Sequence, residues 1–315
     1  MTLAFGLIIS GITLIWISAE KLEKYSVLAA KHFGMSPFLI GSTVIAFGTS
    51  APEMLTTFFV SLENQGAMVI GNVIGSNVAN LSLVFGSMLF VVSINKQTIS
   101  QPKSINKNLL ILLISSLVVW VVIAIDPFNI TSSIVLLIAL LAVIFFWYRD
   151  NQEIPGIQDE NNSENSLIKL ILSLVALVFA AWLITKGANL MLENYNLGQL
   201  FIGYTVLAIG TSLPEIAASI SLALKSRYEA VAGTLIGSNI FNGLCVLAIP
   251  GLFRSNQMAK GWEYSEWSSL LVILFIITLI FSTYIFILTK QGRRASVLLS
   301  ILFLSVYFVS LIYAY

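Results

Sequence analysis

Ten apolar segments organise this chain, at about residues 3–19, 38–62, 67–92, 109–125, 130–148, 167–185, 200–224, 230–253, 270–288 and 295–313. A helix needs about 20 apolar residues to cross a hydrocarbon core. A backbone in lipid must satisfy its own hydrogen bonds, and the period-2 alternation of a membrane barrel is absent, so the segments are expected to be helices. Composition agrees. Hydrophobic residues make up 57% of the chain and charged residues 10%, against about 25% charged in a soluble domain. This excludes a soluble enzyme, a disordered chain and a basic nucleic-acid binder. The net charge of +1 offers no field for an acidic partner, and a single cysteine leaves no disulfide framework. No feature marks an obligate protein partner or a cofactor. The bilayer itself is the expected surrounding.

The first segment has neither a basic leader nor a clear cleavage site and is expected to be a retained helix. With alternate loops assigned to the two sides, thirteen of the sixteen Lys and Arg residues fall on one side, and only Lys186, Arg254 and Lys260 on the other. The positive-inside bias then places both termini outside the cytoplasm of a cell-membrane protein. The longest polar stretch, 149–166, reads as a solvated linker between a first five-helix unit, 1–148, and a second, 167–315.

Self-comparison is more informative. Residues 40–53 lie over 202–215, bringing Gly48-Thr49-Ser50-Ala51-Pro52-Glu53 over Gly210-Thr211-Ser212-Leu213-Pro214-Glu215. The same offset of 162 lays Gly75-Ser76-Asn77-Val78-Ala79-Asn80 over Gly237-Ser238-Asn239-Ile240-Phe241-Asn242. One offset for two separated blocks makes each half a copy of one unit. Five spans is an odd number, so the second copy would enter the membrane from the opposite side. The expected fold is therefore an all-α polytopic membrane protein of ten transmembrane helices in two inverted-topology repeats.

Glu53 and Glu215 sit within apolar stretches, where an acidic residue costs about 2.5–3.5 kcal/mol even on the mildest scale. No Lys or Arg lies at similar depth, so a bound cation is the natural partner. Pro52 and Pro214 cannot donate to the carbonyls of Gly48 and Gly210, which predicts a broken helix in each half with free carbonyls beside a carboxylate. Thr49, Ser50, Thr211 and Ser212 add hydroxyls. Asn72, Ser76 and Asn80 recur every fourth residue on one helix face, as do Thr234, Ser238 and Asn242. Asn72, Asn77, Thr234 and Asn239 suit either ion binding or hydrogen bonding between helices. The donor set is all hard oxygen, which fits Ca²⁺ or Na⁺ and excludes zinc and copper.

These doubled G-T-S-x-P-E and G-S-N-x-x-N blocks resemble the alpha repeats of the cation/calcium exchanger superfamily, most closely its sodium/calcium exchanger branch. The resemblance covers nearly the whole chain. It implies alternating-access antiport of Na⁺ against Ca²⁺, not catalysis. It implies Ca²⁺ ligation by Glu53 and Glu215, with backbone oxygens of Thr49 and Thr211. It implies Na⁺ held by Ser50, Ser76, Ser212, Ser238 and Asn80, with carbonyls of Ala46 and Ala208. Asn242 occupies a position where some members, including potassium-dependent ones, carry Asp, and the amide favours potassium independence. The first and sixth helices resemble the family's mobile pair.

Other readings are proton-coupled Ca²⁺ exchange and a passive cation channel. An intramembrane hydrolase lacks support, because the only histidine, His32, lies in a loop and neither serine motif has an evident base. Cys245 reads as a packing residue. Trp120, Trp147, Trp182, Trp262 and Trp267 fall near span ends, where interfacial anchoring is expected.

Overall fold

The computed structural model describes residues 2–32, 37–95, 105–150, 164–195, 198–253, 264–287 and 293–315. The described residues are helical almost throughout. In chain order they form α1 (Thr2–His32), α2 (Pro37–Leu39, Ile40–Ile45 and Ala46–Leu62, end to end), α3 (Gly66–Ile94), α4 (Ile105–Ile125) and α5 (Ile130–Asp150). There follow α6 (Glu164–Tyr195), α7 (Gln199–Leu224), α8 (Tyr228–Phe253), α9 (Tyr264–Ile287) and α10 (Arg293–Ala314). Seven stretches among the described residues are long and apolar enough to cross a membrane, in α3 to α8 and in α10. Thr2–Ser18 and Ser268–Ser282 are shorter apolar helices. The polar linker falls largely on 151–163, outside the described residues, as do Trp262 and several loop cations; the side chains of His32 and Trp267 also lie outside them.

The helices form layers. α3 and α8 have 72% and 83% of their apolar stretch buried, and α5 and α10 only 28%, which makes the first two the core and the second two the wall. The wall displays Ile138, Leu141, Phe145, Leu298, Phe308 and Ile312, an apolar coat suited to lipid. α1 packs along α6, and this pair crosses the face of α2 and α7. α4 packs on α9, α5 on the end of α8, and α10 on the end of α3.

Glycines set how closely the core helices approach. A Cβ at Gly41 would meet the carbonyl oxygen of Ala230, and one at Gly203 that of Met68. A Cβ at Gly71 would meet Leu200 and Tyr204, and one at Gly233 would meet Phe38 and Ser42. Gly75 faces Ala208 as Gly237 faces Ala46. Every one of these contacts joins the two halves, and each maps onto its partner by the 162-residue offset. Each glycine seam of one half is thus closed by backbone from the other.

Four π-helical turns interrupt the core helices, at Ile40–Ile45, Asn80–Val84, Gly203–Leu207 and Asn242–Val246. They too fall at matching places in the halves. Nothing in the residue pattern announces them.

Two expectations need correction. Trp147 is fully buried rather than interfacial. Its indole donates to Asn108 Oδ1 at 2.8 Å and its ring meets Phe38 edge-on, so its polar tip is satisfied inside the protein and needs no headgroup. The helix carrying Glu53 is also unbroken: Ala46–Leu62 is one α-helix with Pro52 inside it. Pro52 leaves the Gly48 carbonyl without its usual donor, yet the helix runs on, since proline is tolerated inside membrane helices. The second half does break, at Ser212, between Ala208–Thr211 and Leu213–Leu224. Cys245 packs against the core, as expected.

Candidate ion-binding site

The four core helices bring both halves of the repeat to one locus. α2 packs on α8, α7 on α3, and segments of α2 and α7 touch one another. Glu53, Glu215, Thr49, Thr211, Ser50, Ser212, Ser76, Ser238, Asn80, Asn242, Ala46 and Ala208 are all buried. The Glu53 carboxylate lies beside Thr211 and Ser212 of the other half, yet neither of its oxygens accepts a well-formed hydrogen bond. Thr49 Oγ1 meets Ser238 Oγ at 3.3 Å, a direct tie between the halves. The counterpart pair does not form it: Thr211 donates to its own helix at Leu207, 2.9 Å away, and Ser76 Oγ has no partner among the described residues.

Unpartnered polar atoms collect at these positions. They are both Glu53 oxygens, Ser50 Oγ, Ser76 Oγ, Ser212 Oγ and both amide ends of Asn80 and of Asn242. Native interiors leave few such groups, since each costs about 1–3 kcal/mol unless something bonds it. Oxygens dominate the set. A dehydrated hard cation satisfies them, and the amide nitrogens suit the carboxylates that such a cation draws in. The Ala46 carbonyl accepts a long bond from Thr49 at 3.4 Å, and the Ala208 carbonyl accepts the Ser212 amide at 3.1 Å. Among the described residues no three His, Cys, Asp or Glu side chains cluster, so charge at the locus comes from the two glutamates.

The polar groups with an open reading divide. Asn72 donates to Thr57 Oγ1 at 3.1 Å, across helices. Thr234 and Asn239 donate to carbonyls of their own helix, at Ala230 and Leu235. Thr57 escaped the sequence reading. Its signal is the Thr56-Thr57 pair one turn after Glu53, which the second half replaces with Ala218-Ser219.

The chain matches the family model described as sodium/calcium exchanger protein over residues 3–149 and 165–315. It belongs to the sodium/calcium exchanger family. The unmatched gap of this exchanger-family chain is the polar stretch between the halves. An uncharacterized membrane protein of Methanocaldococcus jannaschii is 32% identical over 99% of this chain and 98% of its own. The sodium/calcium exchanger MaX1 of Methanosarcina acetivorans is 23% identical over 88% of this chain and 97% of its own. A structure of the sodium-calcium exchanger NCX_Mj soaked with Na⁺ and Ca²⁺ is similar, with a TM-score of 0.70 and 28% identity over 98% of each chain. The exchanger is therefore an integral, multi-pass membrane protein of a transporter family rather than a catalytic one.

Proposed function

We propose that the protein exchanges Na⁺ for Ca²⁺ by alternating access at the locus built around Glu53 and Glu215. The observation that carries this is the pair of buried glutamates at matching places in the halves, among hydroxyls and amides several of which find no partner among the described residues. Two carboxylates balance one Ca²⁺. Glu53, Glu215 and the backbone oxygens of Thr49 and Thr211 ligate it. Ser50, Ser76, Ser212, Ser238, Asn80, Asn242 and the carbonyls of Ala46 and Ala208 serve the Na⁺ ions. Because the carboxylates are shared, Na⁺ and Ca²⁺ compete, and an empty site resists switching with two bare charges in low dielectric.

The same reading takes the chain as ten spans in two inverted units, 1–148 and 167–315, with both termini outside. The reciprocal glycine contacts at one offset support a two-fold relation between the units, and an odd number of spans in each would put that axis in the membrane plane. The test is uptake of radiolabelled Ca²⁺ into vesicles holding the purified protein. An outward Na⁺ gradient should drive uptake, and collapsing that gradient should stop it. Uptake driven by a pH gradient without Na⁺ would replace sodium coupling with proton coupling.

A further inference from the structure

α1 and α6 form a layer of their own. A Cβ at Gly11 would meet Ile184 and the Ala180 carbonyl, and one at Gly187 would meet Ile8 and the Ala4 carbonyl, so the two helices lie backbone to backbone. Against the core the contact is softer. The nearest atoms to a Cβ at Gly210 of α7 would be the side-chain ends of Ile12 and Ile184. The hydroxyls of Ser10, Thr13, Ser18, Ser173 and Thr185 donate to carbonyls of their own helix. An aliphatic contact of this kind is non-directional and fixes register weakly.

The end of α2 is different. Glu63 follows that helix as its C-cap, and two residues one turn apart on α6 take its two oxygens. Lys186 Nζ donates to Oε1 at 3.0 Å, and Asn189 Nδ2 donates to Oε2. A carboxylate is the wrong charge for a helix C-terminus, where the dipole favours a cation. What it holds on α6 accounts for its place there.

The matching end of the second half lacks this arrangement. α7 ends in a turn of the same kind, with Ser226 at φ 57° where the first half has Asn64 at φ 58°. Yet at the offset of 162 the counterpart of Glu63 is Lys225, that of Lys186 is Lys24 and that of Asn189 is Val27. Both lysines are exposed. One end of the layer carries an attractive pair, and its counterpart carries two like charges.

We infer that Glu63, Lys186 and Asn189 form a clasp that sets the balance between the two access states, favouring the one in which α6 is held against the end of α2. This rests on the exchange site and the inverted units proposed above. For two such units, the second access state is the one in which the halves have traded conformations. Lys24 then stands to Lys225 as Lys186 stands to Glu63 here. The clasp is open and two cations face each other, so the two states differ in free energy before any ion binds. The clasp touches no transported ion; it shifts populations.

The test uses the full-length protein. Spin labels at positions 182 on α6 and 252 on α8, both exposed, are placed in a Cys245→Ser background that still exchanges. Pulsed electron resonance then reads the position of the layer against the core as a distance. The Lys186 and Glu63 side chains are 47% and 29% exposed, and a pair so exposed shifts an equilibrium by about two- to fivefold. Glu63→Gln and Lys186→Met should each lower the ratio of clasped to unclasped populations by that factor. Glu63→Lys combined with Lys186→Glu should restore it, which loss of packing alone would not allow. Lys225→Glu, which gives Lys24 an anion to meet, should lower the ratio by a similar factor. Populations unmoved by Glu63→Gln and Lys186→Met would overturn the inference, as would a charge swap that restores nothing or Lys225→Glu protein that matches wild type. A single distance under every ion condition, in protein that still exchanges, would overturn it too. Wild-type protein that binds no radiolabelled Ca²⁺ would instead overturn the exchange site itself.

Discussion

At the residue scale, everything turns on a carboxylate that cannot be left alone in a dry interior. Glu53→Gln and Glu215→Gln keep the shape of the side chain and remove its charge. Removing one partner of a buried charged contact costs about 3–5 kcal/mol, or about two to four orders of magnitude in affinity. Each variant should therefore show Na⁺-driven Ca²⁺ uptake at background in vesicles, while folding as wild type by size-exclusion profile. Asn242 carries a second expectation. With an amide in place of a third acid, replacing K⁺ by choline on both sides should leave Ca²⁺ exchange unchanged; a requirement for K⁺ would show that the locus recruits a charge from elsewhere. The glutamates and their hydroxyl neighbours were legible in the sequence because a charged residue behind a proline in an apolar run has few structural uses. Thr57 was not. A threonine in a helix is ordinary, and its tie to another helix appears only when Asn72 arrives 3.1 Å away.

At the element scale, helices and their approximate limits followed from apolar length, because lipid leaves a backbone little other choice. Their interruptions did not follow so well. Pro52 and Pro214 stand in matching motifs, yet only the second helix breaks, at Ser212, a difference that the shared motif does not carry. The glycines of the core were visible as small residues, and what they face needed the fold. A Cβ at Gly41 would stand 2.5 Å from the Ala230 carbonyl oxygen, whereas one at Gly6 meets nothing within 4 Å. Gly41→Ala should consequently destabilise the protein by about 1–3 kcal/mol through overpacking. Gly6→Ala should be neutral or stabilising by up to about 1 kcal/mol, because alanine is the better helix former. Thermal unfolding of the two variants in detergent, followed by tryptophan fluorescence, checks the contrast. Equal melting points would mean that the seam between α2 and α8 yields more easily than close-packed backbone does.

At the scale of the whole molecule, the repeat was the most legible feature and the count of spans the least. The offset of 162 reappears in the fold as contacts, one half against the other, at Gly41 and Gly203 and again at Gly71 and Gly233. Among the described residues, span counting by length and apolarity finds seven, and Thr2–Ser18 and Ser268–Ser282 count only as shorter apolar helices. Ten spans with both ends outside can be checked directly. Epitope tags at the two termini should both be removed from intact cells by a protease that does not enter them, and a tag within 151–163 should be spared. Survival of one terminal tag would make the count odd.

The glycine seams have a consequence for how the protein comes into being. Neither half can close its own seam, because the backbone that fills each one belongs to the other half. Severed within 151–163 and co-produced as two polypeptides, the pieces should associate and regain Ca²⁺ transport, whereas either piece made alone should be cleared by the cell's proteases. The peptide bond between them would then be a convenience of stoichiometry, and the working unit a heterodimer that happens to be encoded in one reading frame.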